Sequence, residues 1–127
     1  MTTTNDIVTR ALKRLRVVNP RETAEAIFAS EGLQALNDMM ASWKANGVDT
    51  GHETLTATDD FPLEPEHEQG VTALLAVRLA GDHGMEIDAG IERDASQGWD
   101  GLQAEFFTAP DGAEIDLALR RTGRLFY

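Results

Sequence analysis

The chain has 127 residues, 42% of them hydrophobic and 26% charged, with a formal charge of −11; this is the profile of a single globular domain with a modest core. It has no cysteine, which excludes a disulfide framework and thiolate chemistry. No basic segment followed by an apolar run opens the sequence, so no secretory leader is expected, and the most apolar stretch, 71–80, is too short to span a bilayer and contains Arg78.

The first helix is predicted over about 5–16. Thr4 or Asn5 is expected to cap it, and Asp6 lies near the positive end of its dipole. Ile7, Val8, Ala11, Leu12 and Leu15 recur at helical spacing, while Arg10, Lys13 and Arg14 lie mostly off that stripe. Asn19-Pro20 ends the element, because a residue before proline avoids the helical region. The second helix is predicted over about 22–46, with an apolar stripe of Ala24, Ile27, Phe28, Leu33, Leu36, Met39, Met40 and Trp43. Gly32 is expected to loosen or break it, at roughly 1 kcal/mol relative to alanine. Gly47 suits the left-handed position that closes a helix.

Residues 48–63 read as one long irregular loop with a weak strand over 54–58; a loop of this length in a compact domain is often functional. Phe61-Pro62-Leu63 should pin the entry to a third helix over about 65–83. Pro65 suits its first turn, Glu64, Glu66 and Glu68 favour its positive end, and Gly84 ends it. It is apolar nearly all round, which predicts a central, buried helix. The fourth helix, about 88–107, has Asp88 as cap and a stripe of Ile91, Ala95, Trp99, Leu102 and Phe106. Gly98 and Gly101 flank Trp99 and permit close helix approach at a cost in helix stability.

Beyond the turn signal Pro110-Asp111-Gly112, Ile115, Leu117 and Leu119 alternate with Glu114, Asp116 and Ala118 as in a strand. Leu125, Phe126 and Tyr127 follow. A helix bundle offers no sheet to a lone strand, so this tail is read as an extended arm that seeks another surface. The fold class is therefore all-α: a small bundle of about four helices (1–107), with a long loop at 48–63 and a C-terminal arm (108–127).

The charge is unevenly distributed. Residues 1–21 carry Arg10, Lys13, Arg14, Arg16 and Arg21 against Asp6 alone, a balance of +4. Residues 22–119 carry 21 acids against Lys44, Arg78 and Arg93, a balance of −18, and Arg120, Arg121 and Arg124 make the last eight residues +3. An acidic middle repels phosphates, so sequence-specific DNA binding is not expected. Basic ends on an acidic body suit docking of one chain on another.

Chemistry is not legible. None of His52, His67 and His83 sits in an HExxH pattern. The segment EPEHEQG brings Glu64, His67 and Glu68 close enough to consider a divalent ion, but the preference of a helix N-terminus for carboxylates explains the same residues. No metal site is assigned, and His67 is read as a solvated first-turn residue. Carboxylate pairs for glycoside cleavage are unspecific among so many acids. Without a phosphate-binding loop or a nucleophile elbow, no catalytic residue and no cofactor is assigned. Met39, Met40 and Trp43 are read as core.

The order of elements resembles the head-completion, or head–tail connector, proteins of tailed phages, and in particular the short-tailed-phage tail accessory factors, also called packaged-DNA stabilisation proteins. The residues that carry the likeness are Leu36-Asn37-Asp38-Met39-Met40 with Trp43 and Gly47, and Phe61-Pro62-Leu63 leading into Glu68-Gln69-Gly70 and 74–79. The resemblance implies a helical adaptor of the virion, made in the host cytoplasm and not embedded in a membrane. It implies a ring of twelve copies that binds beneath the portal protein after packaging, surrounds the DNA and offers a surface to the next tail component, a nozzle or tail protein. It also implies a C-terminal arm that reaches the portal or a neighbour. An acidic lumen suits threaded DNA. A ring contact joins two different faces, for which complementary charge is expected. The expected docking residues are Arg10, Lys13, Arg14, Ile115, Leu117, Leu119, Arg120, Arg121, Arg124, Leu125, Phe126 and Tyr127. The other two readings are a tail-associated peptidoglycan hydrolase and a small helical interaction module.

Overall fold

The computed structural model describes residues 2–19, 21–22 and 24–107. They form four helices: α1 (Thr4–Arg14), α2 (Ala26–Ala45), α3 (Pro65–His83) and α4 (Ala89–Phe106). No strand is present among the described residues. Two isolated bridges, Thr3 to Asp60 and Val48 to Phe107, are the extent of β-type pairing there. The all-α reading holds. The segment 108–127, with the strand-like alternation assigned to it, lies outside the described residues.

α1 starts one residue earlier than its sequence suggested, and its cap is Thr3. The Thr3 hydroxyl accepts from the Asp6 N–H at 3.2 Å, and the Asp6 carboxylate accepts from the Thr3 N–H at 3.0 Å, forming a capping box. The latter bond holds the Asp6 carboxyl below the usual carboxylate range. Thr4, offered as the cap from sequence, is instead fully buried, and its N–H and hydroxyl both donate to the Asp59 carbonyl. The stripe from Ile7 to Leu15 is buried as predicted. The helix closes on Leu15, with Arg16 at φ +62. The Val17 N–H reaches the Leu12 carbonyl and the Arg16 N–H reaches that of Lys13, the Schellman pattern with arginine in the position usually held by glycine.

α2 begins at Ala26, four residues later than expected. The Asn19 side chain accepts from the Arg21 N–H, and its carbonyl accepts from the Glu22 N–H, so this stretch is a turn. Gly32 does not interrupt α2. A Cβ on it would stand 2.5 Å from Val8 Cγ1, so the missing side chain lets α1 and α2 touch. Met39, Met40 and Trp43 are core, whereas Ile27, placed on the same stripe from sequence, is 60% exposed. Gly47, at φ +84, closes the helix as expected.

The loop after α2 carries no strand over 54–58. A single side chain replaces the missing ladder: the Leu55 N–H donates to Asn37 Oδ1 at 2.8 Å, and Asn37 Nδ2 donates to the Leu55 carbonyl at 3.0 Å. Further along, Ala57 and Asp59 offer carbonyls to the first turn of α1, and the Phe61 N–H donates to the Thr2 carbonyl. The loop thereby satisfies orphan donors at that helix end. Phe61 and Leu63 are buried at the entry to α3, as predicted.

α3 packs against α1, α2 and α4, so it is the central helix. α4, capped by Asp88, which accepts from the Ile91 N–H, runs antiparallel to it: Gly70 meets Gly98, and His67 near the start of α3 meets Glu105 near the end of α4. Gly101 faces open space, so only one of the two flanking glycines permits close approach. The Trp43 and Trp99 rings lie 6.0 Å apart and tie α2 to α4.

Candidate functional site

Two surfaces combine several elements. The first is the basic face of α1. Packing the stripe of α1 inward turns Arg10, Lys13 and Arg14 toward the first turns of α3 and the middle of α4. Arg10 Nη1 lies 3.1 Å from Glu68 Oε1, which also accepts from the Thr2 hydroxyl at 2.9 Å. Arg14 Nη1 lies 2.9 Å from Asp94 Oδ2, which also accepts from Gln69 Nε2 at 3.2 Å. These bonds hold the Asp94 carboxyl below its usual range, Arg14 being the largest cause and Gln69 the second. Every described acid is exposed except Glu68 and Asp94. The two screened carboxylates are thus the two that meet the α1 arginines.

Both arginines keep outward capacity. Half of the Arg10 side chain and 30% of that of Arg14 remain exposed. A guanidinium has five N–H donors, of which one internal bond uses one. Lys13, between them, has no ion pair among the described residues. Sequence spacing placed the three cations on one face, but it gave no hint that two would be anchored within the chain. The remaining expected docking residues, Ile115, Leu117, Leu119, Arg120, Arg121, Arg124, Leu125, Phe126 and Tyr127, lie outside the described residues.

The second surface is an open cleft of about 500 Å³ between α3 and α4, with Gly70 and Gly98 on its floor. His67 faces Glu66 and Glu105 here. It is not a solvated first-turn residue: it is buried, with its ring 5.5 Å from that of Phe106. Glu64 and Glu68, its expected neighbours from sequence, do not join it. Glu105 does, and its distance of 38 residues along the chain hid it from any local pattern.

No described helix is long and apolar enough to cross a membrane. A search of curated proteins returns no match. The family model of the P22 tail accessory factor matches residues 1–114, across all four helices and both surfaces, and the chain therefore belongs to that family of structural phage virion proteins.

Proposed function

We propose that this chain is the subunit of a head-to-tail adaptor ring. Twelve copies bind beneath the portal protein after DNA packaging, close the head and present the attachment surface for the next tail component, at the head–tail interface of the virion. The DNA passes through the ring without sequence-specific contact. Membership of the tail accessory factor family supports a virion role. The observation that carries the finer reading is the segregation of charge. Exposed acids outnumber the cations Lys44, Arg78 and Arg93 across α2, the 48–63 loop, α3 and α4, while Arg10, Lys13 and Arg14 gather on one face of α1, where Glu68 and Asp94 anchor the two arginines. An adaptor needs that division, with an acidic wall that does not hold phosphates and a cationic face that registers against a neighbour. On this reading Arg10, Lys13 and Arg14, with Arg120, Arg121 and Arg124 and the apolar arm residues, dock on the portal or on the adjacent copy. Electron microscopy of the chain mixed with a candidate portal protein tests the proposal. A ring seated under the portal is expected, and monomers that leave the portal bare would overturn it.

A further inference from the structure

The carboxylates of Glu66 and Glu105 converge on one imidazole, and among the described residues neither pairs with a lysine or arginine. Among the described residues the nearby cations are engaged elsewhere, Arg10 with Glu68, and Arg14 and Arg93 with Asp94. His67 Nε2 lies 3.6 Å from Glu66 Oε1 and in direct contact with Glu105 Oε2, and one donor atom from each of the three residues falls within 4.8 Å of the others. The His67 side chain is only 8% exposed, whereas those of Glu66 and Glu105 are 68% and 43% exposed. A buried nitrogen donor thus packs against Phe106 at the wall of a cleft, and two exposed carboxylates, one on α3 and one on α4, reach it. The backbone contact of Gly70 with Gly98 sets this up. His67 lies one turn before Gly70, and Glu105 lies two turns after Gly98, so each faces the helix contact.

We propose that Glu66, His67 and Glu105 form a binding site for a divalent transition metal of the zinc type. One nitrogen and two carboxylate oxygens, with the cleft open on the remaining side for water, match a borderline cation. Magnesium and calcium instead favour all-oxygen shells. A bound ion would neutralise two like charges and clamp the first turn of α3 to the last turn of α4, from which the chain continues to residue 108. The rival arrangement is a direct hydrogen bond between His67 and Glu105 with no metal.

Titration of the full chain with Zn²⁺ by calorimetry at about pH 7.5 separates the two. One site of micromolar affinity is expected, insensitive to excess Mg²⁺. Co²⁺ in its place should give visible absorption of a low-coordinate complex. Glu66→Gln and Glu105→Gln replace each exposed carboxylate by a neutral amide and leave the buried ring in place. The double variant should keep the circular dichroism of the parent and lose about tenfold or more in Zn²⁺ affinity. An absence of stoichiometric binding, which leaves the direct His67–Glu105 hydrogen bond, would overturn the site. So would Zn²⁺ affinity unchanged in a folded double variant, which would mean scattered surface acids.

Discussion

Gly98 and Gly101 are three residues apart on α4, and the packing makes opposite demands of them. A Cβ on Gly98 would lie 2.5 Å from the Gly70 Cα, a backbone atom that can retreat only if the helices part. Overpacking of this kind costs about 1–3 kcal/mol, against about 1 kcal/mol gained in helix propensity. Gly98→Ala should therefore destabilise the protein by up to about 2 kcal/mol, read by urea denaturation. Gly101 has nothing within reach of a Cβ, so Gly101→Ala should stabilise by about 0.5–1 kcal/mol. His52 gives a pH dependence at the same scale. Burial pushes its imidazole below the ordinary value, and its Nδ1 has no hydrogen-bond partner among the described residues. Above about pH 6.5 the ring is neutral in both the folded and the unfolded chain. As pH falls through that value the unfolded chain takes up a proton that the folded site resists, so stability declines until the lower folded pKa is reached. Urea midpoints between about pH 7.5 and 5.5 should fall less in His52→Asn than in the parent; equal slopes would mean that the ring titrates normally.

At the scale of elements, Asn37 on α2 makes the 48–63 loop part of the fold. It answers both backbone groups of Leu55, as a neighbouring strand would, and its Nδ2 also donates to the Leu33 carbonyl. Asn37→Ala leaves a part-buried N–H and carbonyl unanswered and should cost about 1–3 kcal/mol. Amide exchange at 54–57 should rise before that of α1; uniform protection would show that the other loop bonds suffice. This element also marks where sequence reading stops. The stripe of α1, the all-round apolar character of α3 and the caps at Asp88, Gly47 and Gly84 depend on residues within two turns of one another, and all were legible. Asn37 looked like any polar helix residue, because its partner is 18 residues away. The same limit hid the Arg10–Glu68 and Arg14–Asp94 pairs, separated by 58 and 80 residues, and the burial of His67 under Phe106. Threonines in a row concealed the true cap, since Thr3 and Thr4 have the same chemistry and only the loop carbonyl above Thr4 distinguishes them. The start of α2 was misplaced because Glu22 and Ala24 continue a helical pattern that the Asn19 turn overrides.

For the whole molecule, the internal pairing of Arg14 changes how the adaptor proposal must be tested. Reversing all three α1 cations would confuse folding with docking. Arg14→Glu places a carboxylate against Asp94, the less exposed of the two screened acids, and leaves it Gln69 and, at 3.6 Å, Arg93 among the described residues. A like-charge contact of this kind destabilises the chain on its own, so any lost assembly would be ambiguous. Lys13 has no ion pair among the described residues, so Lys13→Glu changes the same face without disturbing the bundle. If the face docks on an acidic neighbour, Lys13→Glu should leave the melting temperature within about two degrees of the parent, since unpaired surface substitutions stay within about 0.5 kcal/mol. It should weaken association with the portal, and the parent's association should weaken with added salt over the range where the Debye length shortens from about 10 to 3 Å. A rim charge acts chiefly on the association rate, so stopped-flow or surface-capture kinetics should show a slower on-rate with a nearly unchanged off-rate. Arg14→Glu should lower both the melting temperature and the association. Normal assembly by Lys13→Glu, insensitive to salt, would remove the α1 face from the interface and leave Arg120, Arg121 and Arg124 as the cations to reverse next.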